Sequence, residues 1–228
     1  MEPILLLHGA IGAPDQLQPL AEALSGRYEV HVVCFSGHGG KLLGNGKFSM
    51  ELFAHDVLSY MEQKGLERVS VFGYSMGGYV AMYLARNYPE RIARVVTLAT
   101  KYHWDEATAA REVQNLNPEK IEQKIPAFAD ALRRRHAPLD WVSVLSNTAQ
   151  MMQDLGAANV LTTADYPLIT TPVLLLLGDR DKMVTLDETL AVYKALPASQ
   201  LGILPATPHP IEQVDASFLA MLIWKFVN

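Results

Sequence analysis

Six short apolar runs alternate with amphipathic segments of helix length, which predicts an α/β fold: a doubly wound, mostly parallel sheet of about six strands with helices on both faces. Most of the runs are apolar at consecutive positions, as strands covered on both sides must be. The chain has 228 residues and is 50% hydrophobic, enough for one such domain with an insertion.

The elements follow in order. "PILLLH" (3–8) opens the sheet, and residues 14–25 place Leu17, Leu20 and Leu24 on one helical face, with Gly26 as the stop. After the strand "YEVHVVC" (28–34), Ser49 caps a helix that carries Phe53, Val57 and Met61 inward and ends at Gly65. The strand "RVSVFG" (68–73) leads into a helix over 76–88 that ends before Pro89, and "RVVTLA" (94–99) is the next strand. Here the alternation breaks, and about seventy residues carry no strand signal. Asn117 caps a helix with Pro118 at its first position. Ile121, Ile125, Phe128 and Leu132 share a face of it, with a kink at Pro126. Asp140 caps a further helix with Trp141, Val144, Leu145, Met151, Met152 and Leu155 inward and Gly156 as its stop. "PVLLLLG" (172–178), a helix over 187–196, "QLGILP" (200–205) and a helix over 211–226 complete the chain. Strand–helix alternation of this kind means right-handed crossovers between parallel strands. The core is thus expected at 1–100 and 166–228, with a helical insertion at 101–165 emerging from the carboxyl end of a strand. Ligands of open parallel sheets bind at that edge, so the insertion reads as a lid.

Composition excludes several function classes. The net charge is −5, and the one basic run, "RRR" at 133–135, reads as a solvated helix face, so nucleic acid is not an expected partner. Cys34 is the sole cysteine, which rules out an internal disulfide and a cysteine-based zinc site. "MEPILLLHGA" reads as a strand and not a signal peptide, and no apolar stretch approaches the ~20 residues of a membrane span. A soluble, cytoplasmic protein is the expectation.

The chemistry centres on "VFGYSMGGYVAMYLA" (71–85). Gly-X-Ser-X-Gly between a strand and a helix is the nucleophile-elbow pattern, the alternative being a small residue in a turn. The turn is so tight that side chains two residues before and after Ser75 would clash, and the following helix aims free N–H groups at the serine. A serine at its ordinary pKa is a weak nucleophile. It needs a base, and the base needs an orienting carboxylate. "GDRDKMVT" and "ATPHPIEQVD" follow the last two strands at the same sheet edge, which makes His209 the candidate base and leaves Asp179 and Asp181 as acids. His8 is expected to organise the loop after the first strand and His38 to pack its own loop, while His31 and His55 are structural and His136 lies near a helix end. Tyr102, His103 and Trp104 follow strand 94–99 directly and are expected at a pocket rim.

With "HGAIG" (8–12), "GHGG" (37–40), "GYSMGG" (73–78), "GDRDKMV" (178–184) and "HPIEQ" (209–213), the chain resembles the α/β-hydrolase fold superfamily, in its lid-bearing group of small esterases and related enzymes. The resemblance spans nearly the whole chain except the insertion. It implies a strand order of 2-1-3-4-5-6, no N-terminal antiparallel hairpin, and Asp181 as the acid, with Asp179 turned aside to bond the loop backbone. It also implies backbone donors to an oxyanion at Ala10 and Met76. Two departures stand out. "CFSGHGG" lacks the aspartate that often precedes the glycine loop, and Pro208 and Pro210 flank His209 where a glycine is common before it. The expected activity is hydrolysis of a carboxylic ester or thioester of a small molecule bearing an acyl group, without metal or organic cofactor. The same residues suit C–C or amide hydrolysis. "GYSMGG" also resembles the menaquinone-pathway lyase that closes a succinyl-cyclohexadiene ring, although that enzyme has a basic residue soon after the motif, where this chain has Tyr79 and Val80. A binding module that kept the fold without turnover is the remaining alternative.

Overall fold

The computed structural model describes residues 1–44 and 46–228. The strands are β1 (Glu2–Leu7), β2 (Tyr28–Val33), β3 (Val69–Tyr74), β4 (Ile92–Leu98), β5 (Val173–Gly178) and β6 (Ser199–Leu204). They form one sheet in the order β2-β1-β3-β4-β5-β6, parallel at every junction. The helices are α1 (Gln18–Leu24), α2 (Met50–Lys64), α3 (Met76–Asn87), α4 (Glu106–Val113), α5 (Pro118–Lys124), α6 (Pro126–His136), α7 (Trp141–Ala157), α8 (Leu186–Ala195) and α9 (Ala216–Val227).

Alternate residues of the strands face two separate cores. Leu5, Leu7, Val71 and Val95 pack under α2, α3 and α8, whereas Ile4, Leu6, Phe72 and Val96 pack under α1 and α9. The central strands β3 and β5 are buried at every position. The outer strands β2 and β6 are not, and Glu29 and Gln200 reach solvent there, so apolarity on both faces holds only for the interior of the sheet. No described helix is long and apolar enough to cross a membrane.

Predicted caps are in place. Ser49 accepts from Leu52 N, Gly65 ends α2 at φ 67°, Asn117 accepts from Lys120 N, and Asp140 accepts from Val142 N and Ser143 N. Several expectations are corrected. Residues 14–17 form a separate 3-10 turn before α1, which runs out at Ser25 without a left-handed Gly26. The helix expected from 211 begins at Ala216, capped by Asp215, after a short 3-10 turn.

The remaining corrections lie in the insertion, which consists of α4 to α7. A kinked helix at Pro126 is instead two helices. Proline pushes the residue before it out of the helical region, and Ile125 sits at φ −139°, ψ 61°. Ile125 is therefore 55% exposed, and the inner face runs through Ile121, Ala129, Leu132 and His136. Gly156 does not stop α7 but lies within it, where a Cβ would fall 2.6 Å from that of Ala109 on α4. Thr148 is buried on α7, and Met152 only half so. Arg135 is not on a solvated face either: its guanidinium pairs with Asp15 and Glu212, while Arg133 lies over the Trp141 ring.

Candidate active site at the carboxyl edge of the sheet

Ser75 links β3 to α3 at φ 50°, ψ −116°, outside the regions open to an ordinary side chain. Its N–H donates to Leu98 O at 2.8 Å, and its carbonyl accepts from Thr100 Oγ1 at 3.1 Å and Gly78 N at 3.0 Å. The flanking glycines are required by space. A Cβ on Gly73 would meet Gly77 O at 2.3 Å, and one on Gly77 would meet Leu7 O at 2.4 Å. The loop after β1 also closes on the serine, because a Cβ on Gly9 would lie 3.4 Å from that of Ser75.

Asp181 follows β5 and His209 follows β6. His209 Nδ1 and Asp181 Oδ2 are 2.8 Å apart, and the Asp181 side chain is fully buried. Its other oxygen accepts from Met183 N at 2.8 Å and Val184 N at 2.9 Å. Burial opposes the charge on Asp181, but the His209 hydrogen bond and these two amides outweigh it and hold the carboxyl below its usual range. Asp179 points elsewhere, accepting from Thr207 N at 3.2 Å. The peptide bonds before Pro208 and Pro210 are trans; the cis proline among the described residues is Pro138.

The loops around these residues are held by buried histidines. His8 accepts from Phe35 N at Nε2 and donates from Nδ1 to Gly9 O at 2.9 Å. Gly12 N donates to the same carbonyl. Holding the Gly9 oxygen fixes the plane of the Gly9–Ala10 peptide and thereby the direction of the Ala10 N–H. His38 stacks on Phe48, with ring centres 4.7 Å apart, and its ring centre is 5.2 Å from that of His8. Among the described residues, four that are not glycine have positive φ: Ile11, Ser75, Ala99 and Ala206. Each lies just beyond the carboxyl end of a strand, so backbone strain is concentrated along one edge of the sheet.

Burial depresses the pKa values of His8, His38 and His136, that of His8 to about 4. Above the ordinary ~6.5, folded and unfolded chains are both neutral there and stability is full. As pH falls, the unfolded chain binds protons that the folded one refuses, and stability is lost until pH reaches the folded pKa. His8 alone accounts for about 3 kcal/mol over that window. Urea midpoints are therefore expected to fall steeply between pH 7 and pH 4. Midpoints constant across the range would show that these rings are not held neutral.

Tyr102, His103 and Trp104 part company. Tyr102 is buried, with its hydroxyl 2.6 Å from Thr97 Oγ1, and not at a rim. His103 is exposed beside Asp105, and Trp104 packs against the core. Tyr102 and His103 line a cavity of about 280 Å³ with Asn159, Tyr166 and Glu188; Ser75, Asp181 and His209 do not line it. Among the described residues, no three His, Cys, Asp or Glu side chains are grouped to hold a metal.

The family model for the alpha/beta hydrolase fold matches residues 2–137. The chain belongs to the alpha/beta hydrolase fold family. A Bacillus subtilis (strain 168) protein provisionally named as a 2-succinyl-6-hydroxy-2,4-cyclohexadiene-1-carboxylate synthase is 26% identical over 100% of this chain and 90% of its own. A pimeloyl-[acyl-carrier protein] methyl ester esterase of Aeromonas hydrophila is 33% identical over 42% of this chain and 37% of its own. The solved structure of a thermophilic esterase from Thermogutta terrifontis superimposes with a TM-score of 0.75 at 25% identity, covering 100% of this chain and 89% of that one.

Three residues that brace this candidate site were given no role in it from sequence, His136 being read only as lying near a helix end. Asp56, on α2, accepts from Ser36 N and Ser36 Oγ, both at 2.7 Å, and from Lys41 Nζ at 2.6 Å. It braces the "SGHGG" loop from below, so the loop holds its shape without the missing aspartate. Thr100 anchors the Ser75 carbonyl, and His136 reaches the loop after β1. A polar residue on an otherwise apolar helix face was the available signal for Asp56; none pointed to the other two.

Proposed function

We propose that the protein is a serine hydrolase that cleaves a carboxylic ester or thioester of a small acyl-bearing molecule through an acyl-enzyme. The observation that carries this reading is the backbone of Ser75, strained at a turn whose glycines leave room for nothing else. Ser75 Oγ attacks the carbonyl carbon while His209 Nε2 takes its proton. His209 Nδ1–H donates to Asp181, which fixes the tautomer and stabilises the imidazolium. The N–H groups of Ala10 and Met76 bind the oxyanion, each worth about 3 kcal/mol. Met76 opens α3, so its amide has no partner within the helix and carries the positive end of the dipole. The imidazolium then protonates the leaving group, and water activated by His209 releases the acid. Residues 101–165 form the lid over this edge.

A panel of activated esters of increasing acyl length tests the reading and reports the acyl group preferred. A fluorophosphonate should label the protein once. Hydrolysis of no ester or thioester in the panel would sink it. The synthase relative supports a second reading, in which the same groups abstract a proton without an acyl-enzyme. Against it, the motif is followed by Tyr79, a buried side chain hydrogen-bonded to Asn159, and Val80, where the resemblance to that lyase implies a basic residue.

A further inference from the structure

The loop after β1 is held from two sides. His8 grips it from its own strand. His136 grips it from the end of α6, 125 residues away in sequence from the Ile11 carbonyl it contacts. His136 Nδ1 accepts from Gly39 N at 3.1 Å, and its Nε2 lies 3.0 Å from Ile11 O. One neutral tautomer satisfies both bonds, because the amide needs a lone pair on Nδ1 and the carbonyl needs a proton on Nε2. The ring is fully buried, and the insertion fits closely around it: a Cβ on Gly40 (φ 81°) would meet Ala137 O at 2.7 Å. The adjacent Arg135 bridges Asp15, beyond the same loop, and Glu212, three residues past His209. The last two residues of α6 therefore touch the loops that follow β1, β2 and His209.

Ile11 is itself at φ 51°, a conformation that persists only where its surroundings impose it. The Gly9 carbonyl is fixed by His8 and Gly12, and the Ile11 carbonyl by His136. Ala10, with its N–H, lies between these two anchors. We propose that His136 is a positioning residue: by holding the Ile11 carbonyl and the Gly39 amide together, it sets the Ala10 oxyanion donor and makes that donor depend on the seating of the helical insertion. This rests on the serine-hydrolase reading above. The insertion is then part of the catalytic framework at its α6 end, and any opening of the lid takes place elsewhere along it.

The test compares wild type, Ser75→Ala, His136→Phe and His136→Gln on a p-nitrophenyl ester. Phenylalanine keeps the ring and loses both hydrogen bonds. It is expected to lower kcat about 10²-fold, the scale of a small misplacement at a reacting centre, with KM little changed. Glutamine offers one acceptor and one donor and should restore much of the loss. A His136→Phe variant with wild-type kcat, or with its loss confined to KM, overturns the proposal. Should that variant not fold, imidazole ¹⁵N shifts in the wild-type protein decide. A lone pair on Nδ1 and slow hydrogen exchange at the Gly39 amide are expected, and a protonated Nδ1 overturns the proposal. Wild-type turnover that survives in Ser75→Ala would instead sink the serine-hydrolase reading and leave the tautomer measurement standing.

Discussion

Replacement of Ser75 by alanine is expected to lower kcat for any accepted ester by about 10⁶ and to abolish fluorophosphonate labelling. The size follows from the unit character of the site. Without the hydroxyl, the His209–Asp181 pair has no serine proton to take and no acyl-enzyme forms, so the oxyanion donors act only on direct attack by water. What remains is binding and a polarised carbonyl, some 10³–10⁴ over water. The fold should survive, because the contacts that pin Ser75 are made by its backbone, to Leu98 O and Thr100 Oγ1. Labelling of the alanine variant at the wild-type rate would remove Ser75 from the mechanism.

Asp181→Asn carries the second largest expected effect, a fall in kcat of about 10⁴. The substituted side chain still fits, since Oδ1 can keep the Met183 and Val184 amides. Its amide nitrogen then faces His209 Nδ1 and donates where the carboxylate accepted. The ring answers with a lone pair on Nδ1 and a proton on Nε2, and that nitrogen can no longer take the serine proton. Asp179→Asn should change kcat by less than about threefold, because an asparagine oxygen accepts from Thr207 N as the carboxylate does. If kcat proves far more sensitive at Asp179 than at Asp181, the acid has been misassigned.

The features legible in the sequence are those written in local patterns. Short apolar runs mark all six strands, and glycines two residues either side of Ser75 mark the turn, although only the conflict that Gly73 resolves, with Gly77 O, is local, while that of Gly77 is with Leu7 O of β1. Contacts between distant segments left no such mark. Asp56 bonds Ser36 across 20 residues, Thr100 bonds Ser75 across 25, and His136 bonds Ile11 across 125, and nothing in one partner's neighbourhood specifies the other. Helix α4 escaped for a different reason. Its inner face is Thr108, Ala109 and Glu112, too small and polar to register as a hydrophobic period. The position of Tyr102 directly after a strand end suggests a rim, yet its ring turns inward to Thr97.

The dihedrals of Ser75 have a consequence for the durability of the protein. Holding φ at 50° and ψ at −116° costs about 1–3 kcal/mol in every folded molecule, whether or not a substrate is present. Alanine keeps the Cβ and therefore keeps the strain. Glycine releases it, at about 0.5–1 kcal/mol of added disorder in the unfolded chain. Ser75→Gly is thus expected to unfold about 2–4 °C above both Ser75→Ala and wild type in a thermal melt, the shift that about 1 kcal/mol produces in a chain of this size. Equal melting temperatures for the glycine and alanine variants would show that the turn is relaxed. An inert variant that outlasts the active one would mean that selection at this position has favoured turnover over longevity.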